Sequence, residues 1–529
     1  MRRVFAETTG EGADGRVTET AVETESIGRK AGRGLSWGLA GNAATKVFSF
    51  ATGLALARLL APRDFGVYAV ALAATQFVIH INDLGLIPAT IQWRGRLNDM
   101  AATASTIAAG FSLVVYVGFW VAAPSFAHGA GVPEATPVIR LLTATILIDG
   151  ITAVRSAYLL RTFQQNRYIQ ANLAGIVANA GVAIALAAGG AGGMSLAAGQ
   201  LASSVVTGIL VFVWAGLPVR LGINRAVARR LMAYGLPLTA SLGVESILEQ
   251  ADKVIVGHLL GATMLGFYAL AVSVSSWAPG LVGGAIRLVS LPGFARLSEK
   301  DSQTLSRGVQ QAVPLLVLGL IPVAVLIAVL AEPTIAFLYG SRWLPAAGPL
   351  RFLMVLMIVR MLTGIAMDVL MSTESTRWTL LINVGWAVVI IPALWLGTRW
   401  DDGSGAAVAQ AVVGVLVALP LAAVALHRAG IRLASVGPRL VRPVLAGVLA
   451  GSVALVLHLL LGPNPFVQLS VAGTTGLLVY LATAIRPHEL RGLLAVVRPR
   501  NATTPPADVV LPAAPLVAVT DADTSPPSD

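Results

Sequence analysis

Cysteine is absent from the 529 residues, which excludes disulfides, thiolate catalysis and cysteine-ligated metals. Charge is scarce as well: Asp, Glu, Lys and Arg make up 12% of the chain, about half the share of a soluble domain. Aromatic residues are only 6%. The six histidines are scattered without metal-ligand spacing. No G-x-S-x-G, H-E-x-x-H or Walker signature occurs, so neither a nucleophile elbow nor a nucleotide site is legible. The amino terminus has no apolar h-region behind Arg2 and Arg3, so it does not read as a signal peptide.

What is present is apolar. Hydrophobic residues make up 56% of the chain and the mean hydropathy is +0.77. Such a chain cannot cover a water-facing surface, and it reads as an all-α integral membrane protein. A crossing helix needs about 20 apolar residues, and about 14 such segments can be drawn. They are 35–60, 66–89, 101–123, 138–160, 169–189, 194–216, 232–260, 264–287, 309–331, 348–371, 378–397, 404–426, 441–461 and 466–485. The net charge of +11 belongs to short loops, not to nucleic-acid binding. Arg29, Lys30 and Arg33 precede the first span. Arg94 and Arg96, then Arg161 and Arg167, then Arg225, Arg229 and Arg230, fall in alternate loops, as do Arg428, Arg432 and Arg439. The intervening loops hold little beyond Arg63, Arg342 and Arg399. By the positive-inside rule both termini are expected in the cytoplasm.

The chain also writes one hairpin twice. R-L-L-A-P-R-D-F-G-V-Y-A, from Arg58, returns two hundred residues later as H-L-L-G-A-T-M-L-G-F-Y-A, from His258. Leu59, Leu60, Gly66, Tyr68 and Ala69 recur at Leu259, Leu260, Gly266, Tyr268 and Ala269. Six spans separate the copies, so both point the same way across the membrane. That is a parallel repeat about an axis along the membrane normal. The expected architecture is two six-helix lobes in parallel pseudo-repeat plus a C-terminal helix pair. Its parts are a cytoplasmic tail (1–30), the first lobe (31–217), a basic linker (218–230), the second lobe (231–428), the extra pair (441–486) and a second tail (501–529). Pro62 and Gly261 are expected to break the chain at the outer surface. Gly66 and Gly266 would start the next helix or let it pack closely. Tyr68 and Tyr268 would anchor at interfacial depth.

The stretches "LARLLAPRDFGVYAVAL" and "INDLGLIPATIQWRG" carry a family likeness. So do "YGLPLTASLGVESILEQADKVIVGHLLGATMLGFYALA", "LPGFARLSEK" and "FLYGSRWLPAAGPLRFL". Over about residues 34–428 the chain resembles polysaccharide flippases of the multidrug/oligosaccharidyl-lipid/polysaccharide transporter superfamily. The resemblance implies translocation of undecaprenyl-pyrophosphate-linked oligosaccharide from the inner to the outer leaflet of a bacterial cytoplasmic membrane. It implies a cationic cavity between the lobes, coupling to protons or sodium, and polymerase and glycosyltransferase partners. No cofactor or metal is expected. The last two spans match the fourteen-helix branch. Lipid II flippases and drug or cation exporters of the same superfamily are the nearest alternatives. A membrane glycan-assembly enzyme and a structural scaffold belong to other classes.

Ionisable groups within spans cost roughly 2.5–3.5 kcal/mol to insert and are functional candidates by default. A pyrophosphate calls for cations, with arginine suited by its bidentate fork. Lys46, Arg360, Arg155 and Arg287 are the substrate-binding candidates. Lys46 either lines the cavity or pairs with Asp83, and Arg155 either lines it or snorkels to headgroups. Glu245, Glu249 and Asp252 stand at i, i+4 and i+7, on one helical face. They are candidates for ion coupling, or for a structural network with Lys253. Asp83 and His80, three residues apart, read as a proton relay or as a packing pair.

Overall fold

The computed structural model describes residues 41, 44–82, 90, 97–162, 164–217, 222–277, 302–372, 376–431, 433 and 436–485. Among the described residues there is no strand. The helices are α1 (44–59), α2 (Pro62–Asn82), α3 (Leu97–Gly129), α4 (Thr136–Arg161), α5 (Gln165–Ala188) and α6 (Gly193–Ala215). Then come α7 (Arg225–Ser275), α8 (Ser302–Val329), α9 (Ala331–Tyr339), α10 (Ala347–Ser372), α11 (Thr376–Val413) and α12 (Leu419–Arg428). The chain closes with α13 (Val436–Leu460), α14 (Pro465–Gln468) and α15 (Thr474–Ala484). Single π turns join α11 to α12 and α14 to α15.

Each of the 14 expected spans meets a helical stretch. Two long helices hold two spans apiece. Helix α7 breaks at Gly261, where φ is 77° and ψ is −178°, in the left-handed region that suits glycine. The break is a reversal: the Tyr268 hydroxyl lies 3.0 Å from Asp252 Oδ2, yet sixteen residues of straight helix would hold them about 24 Å apart. Helix α11 breaks at Asp401 and Asp402, and the Gly397 and Gly405 backbones then close on one another.

Two features lie outside the sequence expectations. The short helix α9 and the 3-10 turn Ser341–Ala346 form a cap between α8 and α10. The expected linker is partly helical: α7 begins at Arg225, with Asn224 Oδ1 accepting from the amides of Ala226 and Val227 as an N-cap. Thr103 and Thr106 of α3 accept from the amides of Asn224 and Gly222, so the linker is fastened to the first lobe.

The repeated hairpins meet each other. A Cβ on Gly66 would lie 1.7 Å from the Ala262 carbonyl oxygen, and one on Gly266 would lie 1.8 Å from that of Pro62. Position 66 thus rests on 262 and 266 rests on 62: the contact is reciprocal under the two-hundred-residue offset. Both contacts involve the first turns of their helices. The two helices therefore leave one point in the same sense, as a two-fold along the bundle axis requires.

That end of the bundle carries further links between the lobes. Arg58 donates to the carbonyls of Phe337 and Leu338 at 3.1 and 3.0 Å. Trp343, fully buried, donates Nε1 to the Ala57 carbonyl at 2.9 Å. His258 Nδ1 lies 2.9 Å from the Gly129 carbonyl. At the opposite end Leu231 packs on Met100, Ala104 and Val154. Between the ends, Ser246 Oγ donates to the Gln76 carbonyl at 3.2 Å. The added pair α13–α15 leans on α8 through close backbone approach, with Gly447 and Gly451 against Ile321 and Val325.

Candidate functional site

The polar centre of the second lobe is built by the α7 reversal. Asp252 is 6% exposed and stands nine residues before Gly261. Its Oδ2 accepts from the Tyr268 hydroxyl at 3.0 Å and from Gln410 Nε2 at 3.3 Å. Gln410 Nε2 also donates to the Tyr268 oxygen. Oδ1 accepts from the Lys253 amide at 2.7 Å, and the Lys253 ammonium lies 3.7 Å away. Lys253 Nζ donates in turn to Gln250 Oε1 at 2.8 Å. One carboxylate thus gathers both limbs of α7 and the second limb of α11. A buried anion is tolerable only when so surrounded.

The three expected carboxylates of this helix do not share one environment. Asp252 is buried within the network, whereas Glu249, three residues earlier, is exposed. Glu245 lies on α7 with its side chain outside the described ones. Lys253, weighed as a neutralising partner, has its ammonium 3.7 Å from Asp252 Oδ1.

Lys46 is exposed, and no described residue pairs with it. Phe50, one turn on, meets Trp277 edge to face with ring centroids 3.9 Å apart. Residues four apart share a helical face, so the Lys46 face of α1 is the one turned toward the second lobe. Arg360 is exposed as well. Lys46 and Arg360, both exposed, thus belong to different lobes. Arg155 sits differently. It is 4% exposed, its guanidinium lies 3.9 Å over the Phe212 ring, and it donates to the Leu217 carbonyl at 3.4 Å. Those partners place it between α4 and the C-terminal end of α6. Asp83 and Arg287 lie outside the described residues, and His80 is on α2 with its side chain outside the described ones.

Two members of the centre escaped the sequence reading. Tyr268 was expected at an interface, but it is fully buried and bonded to Asp252. Its repeat mate Tyr68 is only half-buried. Gln410 gave one faint signal, a lone amide inside the apolar run A-A-V-A-Q-A-V-V. Its partners are 142 and 158 residues away. Among the described residues no three His, Asp or Glu side chains converge to hold a metal ion.

Among the described residues ten helices are long and apolar enough to cross a membrane, and the repeated hairpins face each other. Solved structures share this fold. A lipid II flippase MurJ structure in an inward closed conformation matches with a TM-score of 0.71 and 14% identity, over 86% of this chain and 98% of that one. An inward-facing multidrug resistance MATE transporter matches at 0.59 and 16%, over 72% and 94%. The family model described as "Polysaccharide biosynthesis protein" matches residues 55–348, and the chain belongs to that family.

Its curated relatives include the succinoglycan biosynthesis transport protein ExoT of Rhizobium meliloti (strain 1021), 26% identical over 59% of this chain. The match spans 63% of ExoT, under two thirds of its length. The lipopolysaccharide biosynthesis protein WzxC of Escherichia coli (strain K12) is 20% identical, over 68% of this chain and 74% of that protein.

Proposed function

We propose that the protein is a flippase that carries undecaprenyl-pyrophosphate-linked oligosaccharide units from the inner to the outer leaflet for cell-surface polysaccharide export. Family membership and relatives named for succinoglycan transport and lipopolysaccharide biosynthesis support the class. One observation carries the site: Lys46 is exposed and unpaired among the described residues, on the α1 face turned to the second lobe. An ammonium kept there at a cost of a few kcal/mol suits an anionic guest. Arg360 answers it from α10. Alternating access then follows from rocking the lobes about their repeat axis. In this reading the Gly66–Gly266 end faces outward, the termini are cytoplasmic, and the Asp252 network is where proton or sodium coupling would act on the second lobe.

The experiment is translocation in proteoliposomes loaded with an undecaprenyl-pyrophosphate oligosaccharide, following its appearance in the outer leaflet. Wild type should move the lipid. Lys46→Ala and Arg360→Ala should each slow it roughly tenfold or more with folding intact, as loss of one charge-assisted phosphate contact costs about 1.5–3 kcal/mol. Lys46→Arg should keep most of the rate. Glu249, exposed on α7, favours a second reading in which the guest is an organic cation. If wild type exports organic cations and leaves the lipid in place, that reading replaces the first.

A further inference from the structure

A groove runs along the outside of the C-terminal helix pair, on a face the transport reading does not use. It encloses about 320 Å³ and is lined by Val441, Arg442, Leu445, Ala446 and Leu449 of α13 and Thr483 of α15, among others. Arg442 is the one charged side chain in the lining. Its Nε donates to the Thr483 carbonyl at 2.9 Å, which fixes the guanidinium against the wall. Among the described residues nothing engages its two terminal nitrogens. The remaining lining is apolar and open: Leu445 is 62% exposed and Leu449 48%.

The depth of these residues matches the two parts of a lipid. Arg442 stands six residues into α13, about 9 Å from its start, where a spanning helix leaves the headgroups. Leu449 lies a further 10 Å or so along the same face, among acyl chains. Arg439, one turn before Arg442, is exposed at the same end, so the positive field is not confined to one side chain. No acidic residue lines the groove. An arginine at this depth with unused donors calls for an anion, and a phosphodiester fits its fork bidentately.

We infer that this groove binds an anionic glycerophospholipid of the surrounding bilayer. Its phosphate sits on Arg442 and one acyl chain lies along Val441, Leu445 and Leu449. The occupant is a bilayer lipid and not the transported one, because α13 leans on α8 through Gly447 and Gly451, and the groove opens away from that packing. Basic pockets between transmembrane helices select acidic headgroups by this chemistry.

The test is native mass spectrometry of the full chain in detergent, titrated with phosphatidylglycerol or phosphatidylcholine of identical acyl chains. Wild type should retain one phosphatidylglycerol with a preference of about five- to tenfold. Arg442→Gln should abolish the preference and Arg442→Lys should keep part of it. Leu445→Trp, which fills the groove and leaves the charge, should lower retention of both lipids. Thermal unfolding in the same detergent checks that each variant is folded. If Arg442→Gln does not fold, the salt dependence of wild-type binding decides: the preference should shrink between low and high salt. Unchanged preference in Arg442→Gln, or salt-independent preference in wild type, overturns the proposal. So does displacement of phosphatidylglycerol by undecaprenyl phosphate at equal concentration, which would assign the groove to the transported lipid.

Discussion

Replacing Gly66 by alanine tests whether the reciprocal hairpin contact is a gate. The added Cβ would lie 1.7 Å from the Ala262 carbonyl oxygen and 2.6 Å from its carbon. Ordinary contact begins near 3.4 Å, so α2 and the second limb of α7 must part by about 1.7 Å. Both sides of the contact are backbone, and no rotamer change relieves it. Overpacking of this kind costs about 1–3 kcal/mol. The cost falls only on conformations in which this end is closed. In every other conformation alanine should help the helix by about 0.5–1 kcal/mol. A net bias near 2 kcal/mol shifts the populations about thirtyfold toward the open end.

Spin labels at Ala61→Cys and Leu344→Cys, both exposed and on opposite lobes, report the separation without background, since the chain has no cysteine of its own. Wild type should give a short, narrow distance distribution, and Gly66→Ala should add a longer one. Gly266→Ala should do the same. The double variant should cost less than the sum, because one widening relieves both clashes. Gly118→Ala, where a Cβ would meet nothing within 4 Å, is the control. An unchanged distance distribution in Gly66→Ala, with only the melting temperature lowered, would refute the gate and leave a static packing contact.

Tyr268→Phe removes a buried hydroxyl from Asp252 and Gln410 and should cost about 1–3 kcal/mol in thermal unfolding. Asp252→Asn leaves the Lys253 ammonium without its counter-charge and should cost more, about 3–5 kcal/mol. Trp343→Phe keeps the aromatic packing on Phe65 and Phe267 but loses the bond to the Ala57 carbonyl. The spin-label pair should register it as a smaller opening of the same end. The Arg63 guanidinium, hydrogen-bonded to Glu134, holds that carboxyl below its usual value. The pair therefore adds stability above the ordinary carboxylate range and loses it as the pH falls through the lowered value. Glu134→Gln should melt slightly below wild type at pH 7 and level with it in acid, the difference staying small because the pair is exposed.

The spans, the hairpin repeat and the break at Gly261 were legible because each rests on a local signal: apolar length, a recurring string, a glycine between apolar runs. Gly66 could be read as a close-packing position, but not as the partner of Ala262, nor Gly266 as that of Pro62, since sequence does not say that two repeats face each other. The Asp252 network was half legible. The carboxylate and Lys253 were visible as charges in an apolar helix. Tyr268 misled, because an aromatic hydroxyl near a span end reads as an interfacial anchor until a buried acceptor is known. Gln410 is 158 residues from its carboxylate. Helical spacing grouped Glu249 with Asp252, yet about 60° separates i+4 from i+7 around the axis, enough to put one side chain in the network and the other outside it.

The two copies of the hairpin have diverged in a telling way. What they share, Pro62 or Ala262 under Gly266 or Gly66, is the reciprocal contact, and it needs both copies at once. What they do not share is charge. The position two hundred residues before Asp252 is Thr52, and the one before Gln410 is Leu210. Among the described residues Tyr68 accordingly meets no carboxylate and is half-buried, while Tyr268 closes a network. Symmetric contacts can define how the lobes part, since motion about a two-fold must treat both alike. A charged centre held by one lobe can make the two ends of that motion differ in energy. An ion or guest that alters the charge at Asp252 would then bias a gate built from residues it never touches, and this is the coupling a carrier needs. The combination is testable: if Asp252→Asn changes the populations seen by the Ala61–Leu344 labels as Gly66→Ala does, charge and gate are linked. If it lowers stability alone, the network is scaffold and the coupling lies elsewhere.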